Sequence, residues 1–530
     1  MKTQLFTLIS LLLCSSIPAQ NVTEIKPLPD ERWWGGVVAY GSQMPYIKPL
    51  KEYDLAKQND NNQVTPLLLS SKGRYVWSNA PFQFSFTENG IITIRSNDEN
   101  IAAQTAGATL REAYVDACKK HFPPSGQLPD SLFFLQPQYN TWIELMYNQN
   151  QEDILRYAQG IADNGFPAGV LMIDDNWQKY YGNFEFKPEK FPNPQAMVDK
   201  LHQLGFKVML WICPFVSADS PEYRFLQSKG YLLKSKNGQP AIIGWWNGQS
   251  ACYDFTNPEA AAYFVSALKD MQKKYGIDGF KFDAGDNILY ASRDLVSHQK
   301  DAISVDHTLA WAKIGLEFPF NEYRACWKMG GEALVQRLGD KDYSWSALQL
   351  LIPDMMAAGL LGYAYACPDM IGGGQYTSFL HIDQNEFDQA LIVRSAQVHA
   401  LMPMMQFSVA PWRILNGENL SIVRSMARLH EKMGGYIMEC ARKAAKTGEP
   451  IVRHLEYAFP NEGFADCKDQ YMLGDKFMVA PVVTKENTRS VRLPKGRWID
   501  DLGKIHRGGR TITVDVPLGR LPYFEMTDKK

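Results

Sequence analysis

The sequence predicts an α/β fold, a (β/α)8 barrel flanked by an N-terminal β-sandwich and a smaller C-terminal β-domain. Three observations carry that expectation. Between residues 126 and 440 short apolar runs alternate with amphipathic stretches. Six or more such units over about 300 residues favour a closed barrel over an open doubly wound sheet. On either side, over residues 21–125 and 441–530, the hydrophobic period drops to two. No GxGxxG or GxxxxGK follows any strand, which weakens a nucleotide-binding reading.

Residues 1–20 read as an export signal: Lys2, an apolar stretch from Leu5 to Leu13 too short to span a bilayer, and Ile17-Pro18-Ala19 as a cleavage site. The expected destination is the periplasm or the medium. Cys14 offers a lipid attachment point, but Leu13 before it is larger than that processing usually accepts. In the sandwich, Phe82, Phe84 and Phe86 alternate with polar residues, Asn89-Gly90 is a hairpin turn, and Ile92 and Ile94 resume the alternation. Phe122-Pro123-Pro124-Ser125-Gly126 reads as a linker. Barrel strands are expected at 132–135, 169–173, 207–212, 251–253, 279–282 and 362–366, with helices at 152–164, 194–204 and 258–274. Asn257-Pro258 caps the last of these. The C-terminal domain is marked by Phe477-Met478-Val479-Ala480-Pro481-Val482-Val483, Ser490-Val491-Arg492-Leu493, the turn Pro494-Lys495-Gly496 and alternation over 511–516.

At 530 residues there is length for two to four domains, and the 45% hydrophobic share is ordinary for a globular enzyme. A formal charge of −2 without a basic block argues against nucleic acid as partner. No later segment is long and apolar enough for a membrane span. Cys118, Cys213, Cys252, Cys326, Cys367, Cys440 and Cys467 lack CxxC or His-rich spacing, which argues against a zinc site or a dense disulfide framework. Their odd number leaves at least one free thiol, and small core hydrophobes are the expected role. Whether the chain forms a homo-oligomer is left open. The 13 Trp fit rings stacked on sugar faces and equally fit large cores.

The most informative run is Ile277-Asp278-Gly279-Phe280-Lys281-Phe282-Asp283-Ala284-Gly285-Asp286, a buried strand ending in acidic and small residues. Alternation puts Lys281 and Asp283 on one face. A nearby ammonium would hold Asp283 ionised, the state a nucleophile needs; a structural Lys–Asp pair capping the strand is the alternative. A second strand end, Ile173-Asp174-Asp175-Asn176-Trp177, sends adjacent carboxylates in two directions, toward two hydroxyls of one ligand or into a solvated turn. A third segment, Gln336-Arg337-Leu338-Gly339-Asp340-Lys341-Asp342, has no strong strand or helix signal, and on spacing alone Asp340 reads as a surface ion pair. Ala366-Cys367-Pro368-Asp369-Met370-Ile371-Gly372-Gly373-Gly374 ends another buried strand, its glycines allowing close backbone approach. Two acids on separate strand ends, one ionised and one protonated, suit glycosidic cleavage. A divalent metal suits acids too, but Lys281 beside Asp283 would repel it; a Schiff-base role for Lys281 lacks a phosphate-binding signature. No cofactor is expected.

These residues resemble glycoside hydrolase family 31 in an order that spans about 500 residues. Trp33-Trp34-Gly35-Gly36 comes first, then the strand-end acids, then Arg337-Leu338-Gly339-Asp340. Leu360-Leu361-Gly362, Pro368-Asp369-Met370-Ile371-Gly372-Gly373, the run from Leu473 to Val482 and Leu493-Pro494-Lys495-Gly496-Arg497-Trp498 follow. The resemblance implies Asp283 as nucleophile and Asp340 as acid/base of a retaining exo-acting glycosidase, with Arg337 and Lys281 as sugar-binding cations. Where α-glucosidases and α-xylosidases of the family carry a Trp-x-Asp-Met-Asn-Glu-like run, this chain has Lys281-Phe282-Asp283-Ala284-Gly285-Asp286. The family's Arg-Asn-His is also absent after Pro403-Met404-Met405, replaced by Gln406-Phe407-Ser408. Both departures resemble α-galactosidases, and within the family the myogenesis-regulating glycosidase-like branch. The resemblance therefore implies release of terminal α-linked galactose from oligosaccharides, with α-glucosidase or α-xylosidase activity as the alternative. Asp174 and Asp175 would accept from O4 and O6 of galactose, Lys281 would donate to O3 or O4, and Asp369 is counted with the substrate-binding residues. Trp246 is the expected stacking wall, although either ring of Trp245-Trp246 is a candidate for the core.

Overall fold

The computed structural model describes residues 21–528 apart from residues 48, 58–61, 292–293 and 383–385. The export signal expected at 1–20, with Cys14, lies outside the described residues. At the centre stand eight parallel strands: β1 (Gln138–Asn140), β2 (Val170–Ile173), β3 (Lys207–Ile212), β4 (Gly279–Phe282), β5 (Phe320–Tyr323), β6 (Gln336–Arg337), β7 (Ala366–Cys367) and β8 (Gln406–Phe407). They pair in the order β7-β6-β5-β4-β3-β2-β1-β8, and a parallel bridge between Met370 and Gln406 joins the two ends into a ring. The expected barrel is therefore present.

The helices follow their caps. The side chain of Asn150 accepts from Asp153 N to start Gln151–Asp163, Asn193 with Pro194 starts Pro194–Gln203, and Asn257 with Pro258 starts Pro258–Tyr275. The last ends at Gly276 in the left-handed region (φ 77°).

Several strands differ from the expectation. Residues Leu132–Leu135 form a helical turn, and the first strand lies just beyond it at Gln138–Asn140. The run at 251–253 belongs to a separate antiparallel sheet of Phe215–Ser217, Ile242–Trp245 and Gly248–Cys252, an excursion between β3 and β4. The seventh strand is Ala366–Cys367, at the end of the apolar run. Three strands lacked an apolar signal because their inward residues are polar. Glu322 of β5 accepts from Gln406 Nε2 of β8 at 2.7 Å and lies 3.6 Å from Arg337 Nε of β6, so polar side chains meet across the barrel.

The N-terminal region is two packed sheets, as expected, plus a helix, Leu110–His121, that the β pattern hid. It is nucleated by Thr109, whose side chain accepts from Glu112 N. One of these sheets takes in Cys326–Trp327 from the barrel segment, paired with Gln63–Ser70, and Gln63 Nε2 donates to the carbonyls of Arg324 (2.9 Å) and Arg337 (3.1 Å). The sandwich thus braces the barrel rim. The long helix Gly417–Thr447 carries the chain toward the C-terminal sheets, so the changeover suggested at residue 440 falls within a helix. Those sheets close on their own core around Trp498 and Phe524. All seven described cysteines are free and buried. Among the described residues no helix is long and apolar enough to cross a membrane.

Candidate active site

The C-terminal ends of the strands converge on a cavity of about 330 Å³. Lining it are Asp174 and Asp175 after β2, Trp211 of β3, Lys281 of β4 with Asp283 just after it, Arg324 after β5, Arg337 of β6 with Asp340 beyond it, and Trp246. A larger cleft of about 690 Å³ lies on the outside of the barrel, along helices Pro258–Tyr275 and Ser304–Ile314, and none of the strand-end acids reaches it.

Asp283 leaves β4 with its N–H still bonded to Ile212 O at 2.8 Å. Ala284 and Gly285 then both turn left-handed (φ 58° and 77°), and Ala284 N bends back to Asp283 Oδ1 at 2.9 Å. A Cβ at Gly285 would lie 2.2 Å from Trp311 Cδ1, so only glycine makes this turn. Trp211 Nε1 donates to Asp283 Oδ2 at 2.7 Å. Burial would push the Asp283 carboxyl up, but Arg324 above all, then Lys281, Arg337 and the Trp211 hydrogen bond, bring it down to about 2. Asp283 is thus ionised at neutral pH.

Arg324 joins the two acids far apart in sequence. Its Nη1 lies 3.7 Å from Asp283 Oδ1 and 3.9 Å from Asp340 Oδ2, and its Nε lies 3.5 Å from Asp286 Oδ1. Asp340 is the more open of the pair, its side chain 25% exposed, and it accepts from Arg337 Nη1 at 2.7 Å. It is therefore not the surface loop carboxylate its spacing suggests.

Lys281 helps hold Asp283 ionised through space, as expected, while its Nζ bonds Asp174 Oδ2 at 2.6 Å. Asp174 Oδ1 accepts from Asp175 N, which turns the second carboxylate away toward Asn247 Nδ2 (2.6 Å) and Tyr181 OH (3.2 Å). Burial first, and then the Asp174 charge, raise Asp175 to about 7.

Trp245 and Trp246 divide the two roles left open between them. Trp245 packs into a small core against Phe215 at 4.4 Å, whereas Trp246 is 45% exposed at the cavity with the Arg324 guanidinium 4.6 Å from its ring centre. Asp369 is a correction to the substrate-binding set. It is fully buried behind Arg337, outside the cavity lining, and its oxygens are taken by Arg337 Nη1, Lys341 N and Gly374 N.

Arg324, Trp211, Asn247 and Tyr181 escaped the sequence reading. Arg324 follows a strand masked by Glu322, Trp211 sits inside an apolar run that reads as core, and Asn247 arrives on an excursion that no barrel periodicity registers. The one available signal was Glu322-Tyr323-Arg324, two charges at the end of a short aromatic run. Among the described residues no group of three or more His, Cys, Asp and Glu is arranged to hold a metal ion. The acids are interleaved instead with Lys281, Arg324 and Arg337.

Residues 136–439 match the Glycosyl hydrolases family 31 TIM-barrel domain, and residues 448–527 match the Glycosyl hydrolase family 31 C-terminal domain. The chain is 32% identical over 434 residues to the Myogenesis-regulating glycosidase of Mus musculus, covering 79% of this chain and 60% of that protein. It is 25% identical over 486 residues to an Alpha-xylosidase of Emericella nidulans, covering 84% and 61%. The chain thus spans about 60% of the length of these two relatives. Its fold superposes on the Flavobacterium johnsoniae GH31 dextranase complexed with glucose with a TM-score of 0.81, at 21% identity over 96% of this chain and 67% of that one.

Proposed function

This chain belongs to glycoside hydrolase family 31, and on that premise we propose that it is a retaining, exo-acting α-glycosidase releasing terminal α-linked galactose from oligosaccharides. The observation that carries the reading is Arg324, whose single Nη1 stands within 4 Å of both Asp283 and Asp340 across one sugar-sized cavity. That bounds the gap between the carboxylates at a span compatible with the roughly 5–5.5 Å of retaining enzymes.

Asp283, held ionised, attacks the anomeric carbon. The bond to the leaving oxygen breaks, and its electron pair takes a proton from Asp340 as the glycosyl-enzyme forms. Asp340 then removes a proton from water, which attacks the same carbon and frees Asp283 with net retention. Trp211 and Ala284 N keep the nucleophile's oxygens aimed. Arg324 steadies its negative charge until the new bond consumes it.

The sugar assignment rests on Asp174, Lys281 and Asp175, which present two carboxylates and an ammonium at the cavity wall. An axial 4-hydroxyl and a 6-hydroxyl that donate to these acids, with a ring oxygen function accepting from Lys281, would satisfy them. An equatorial 4-hydroxyl would point away from these acids and forgo that hydrogen bond to a charged group, a discrimination of about 1.5–3 kcal/mol. Trp246 offers its exposed ring to the bound sugar. Glucoside or xyloside specificity is the second reading, favoured by the similarity to an α-xylosidase over 84% of the chain. Nitrophenyl α-galactoside, α-glucoside and α-xyloside assayed side by side decide between them: a preference for the galactoside is expected, and a preference for either other sugar overturns the assignment. On the same footing we propose export from the cytoplasm through residues 1–20, tested by fractionating cells that express the full chain.

A further inference from the structure

Asp369 sits in a backbone built for it. Its own φ is 76°, in the left-handed region that a non-glycine residue enters at a cost, and Gly372 and Gly373 follow at 87° and 106°. A Cβ at Gly373 would lie 2.3 Å from Lys341 O, and one at Gly374 would lie 2.7 Å from Asp369 Oδ1 and 2.9 Å from Asp340 Oδ1. The loop is thus pressed against the segment that carries Asp340. Gln375 N bonds Lys341 O at 3.0 Å, while Asp369 Oδ2 accepts from Lys341 N at 2.8 Å and from Gly374 N at 3.0 Å. The remaining oxygen, Oδ1, meets Arg337 Nη1 at 2.7 Å, and that same nitrogen donates to Asp340 Oδ1 at 2.7 Å. One guanidinium nitrogen is shared between a carboxylate that faces the cavity and one that does not.

Resting on the glycosidase reading above, we propose that Asp369 is the positioning residue of the acid/base: it neutralises Arg337 so that Asp340 can carry a proton at the working pH. An acid/base hydrogen-bonded to a bare buried guanidinium would be pinned as carboxylate and could not protonate a leaving group. A second carboxylate on the same nitrogen cancels most of that field. Its hydrogen bond to Lys341 N also fixes the peptide that follows Asp340. Among the other charges around the pair, Lys341 Nζ is turned to Asp354 at 2.9 Å, Glu322 faces Arg337 Nε at 3.6 Å, Arg324 Nη1 stands between Asp340 Oδ2 at 3.9 Å and Asp283 Oδ1 at 3.7 Å, and Lys281 is bonded to Asp174. Asp369 is itself raised, by burial first and with the Asp340 charge adding after the opposing Arg337.

The test is kcat/KM against pH for the full chain and for Asp369→Asn, on a nitrophenyl α-glycoside and on the methyl α-glycoside of whichever sugar the wild type prefers. The amide keeps the shape and removes the charge. The alkaline limb is expected to move down by about one pH unit or more. Near neutrality the methyl glycoside, which needs a proton on its leaving oxygen, is expected to lose roughly tenfold more than the nitrophenyl one. An unmoved limb, or equal losses on both substrates, overturns the proposal. Asp369→Asn alone strands the Arg337 charge, so a variant that fails to fold is replaced by Asp369→Asn/Arg337→Gln, which removes both charges. Its alkaline limb is expected to lie close to that of the wild type, and a displacement of about one unit or more overturns the proposal. A wild type that cleaves none of the three nitrophenyl α-glycosides removes the functional reading and this inference with it, whereas an active wild type with an unmoved variant removes this inference alone.

Discussion

Lys281 reaches Asp174 across the barrel mouth, Nζ to Oδ2 2.6 Å apart, with both side chains almost fully buried. Alternation along β4 had grouped Lys281 with Asp283. Parallel neighbours set the actual partner, because only β3 separates β4 from β2, and Trp211 of β3, in register with Lys281, already holds Asp283. Asp174 and Asp283 therefore each have a donor of their own, Lys281 and Trp211.

That pairing predicts an asymmetry between single and double variants. Lys281→Met leaves the Asp174 carboxylate buried without its counter-charge, which typically costs about 3–5 kcal/mol, whereas removing both charges is often close to neutral. The thermal midpoint of Lys281→Met is expected to fall by several degrees, and Lys281→Met/Asp174→Leu to recover most of that loss. Equal midpoints for wild type and Lys281→Met would show that the pair is not buried as described. Both variants are expected to lose sugar binding, read as a raised KM.

Arg324 predicts the acid limb of the activity profile. Asp283 lies at about 2 although burial pushes it up, and Arg324 is the largest influence opposing that push. The sign follows from the depressed value: the ionised form is favoured by folding, so this stabilisation is present above the ordinary carboxylate range and lost only as pH falls through about 2. Arg324→Leu removes the cation, so Asp283, the proposed nucleophile, protonates at higher pH. The acid limb of kcat/KM is expected to rise by about one pH unit or more, measured on the nitrophenyl substrate. A limb that stays in place would assign the low value to Lys281 and Trp211 instead.

Asp175 runs in the opposite direction. Its value is raised from 3.8 to about 7, so the unfolded chain releases this proton first and stability declines as pH rises through that window. The full difference is on the order of 4 kcal/mol. Urea midpoints of the wild type are expected to fall between pH 4 and pH 7 relative to those of Asp175→Asn, in which the group cannot ionise. A constant difference between the two proteins across that window would show that Asp175 is ionised throughout. Because ionised Asp175 is the better acceptor for a sugar hydroxyl, KM for the α-galactoside is expected to rise as pH falls below about 7 in the wild type and not in the variant.

The sequence made the frame legible wherever one physical signal dominated. Val170–Ile173 and Lys207–Ile212 are apolar runs flanked by Asn-capped helices, and they emerged as barrel strands. β5, β6 and β8 did not, because Glu322, Arg337 and Gln406 pack polar atoms into the barrel, and two of the three strands are only two residues long. The site divides the same way. Asp283, Asp174 and Asp175 were marked by acids directly abutting buried strands. Arg324 and Asn247 became visible only when separate segments converged, since an asparagine at a hairpin tip has no local chemistry to distinguish it and the two charges of Glu322-Tyr323-Arg324 do not say which faces the cavity. Asp340 needed the family resemblance, and Asp369 was placed one layer too near the sugar because its glycine-rich loop looks the same whether it approaches a ligand or a neighbouring loop.

The roles of the two central acids can be separated by what restores each when it is lost. Asp283→Ala and Asp340→Ala are each expected to reduce turnover of a poor leaving group by at least a thousandfold or so, but for different reasons. Without Asp283 no glycosyl-enzyme forms; azide, small enough for the vacated space, attacks the anomeric carbon from the same face, so the product is the β-glycosyl azide, inverted relative to the α-substrate. Without Asp340 the first step still proceeds when the leaving group is a nitrophenolate, which departs unprotonated, and the intermediate waits for a nucleophile that needs no general base. Azide then opens it from the original face and the product is the α-glycosyl azide. Proton NMR of the anomeric region reads both outcomes directly. Inverted azide from both variants, or retained azide from both, would mean that Asp283 and Asp340 do not stand in these separate roles, however closely Arg324 draws them together.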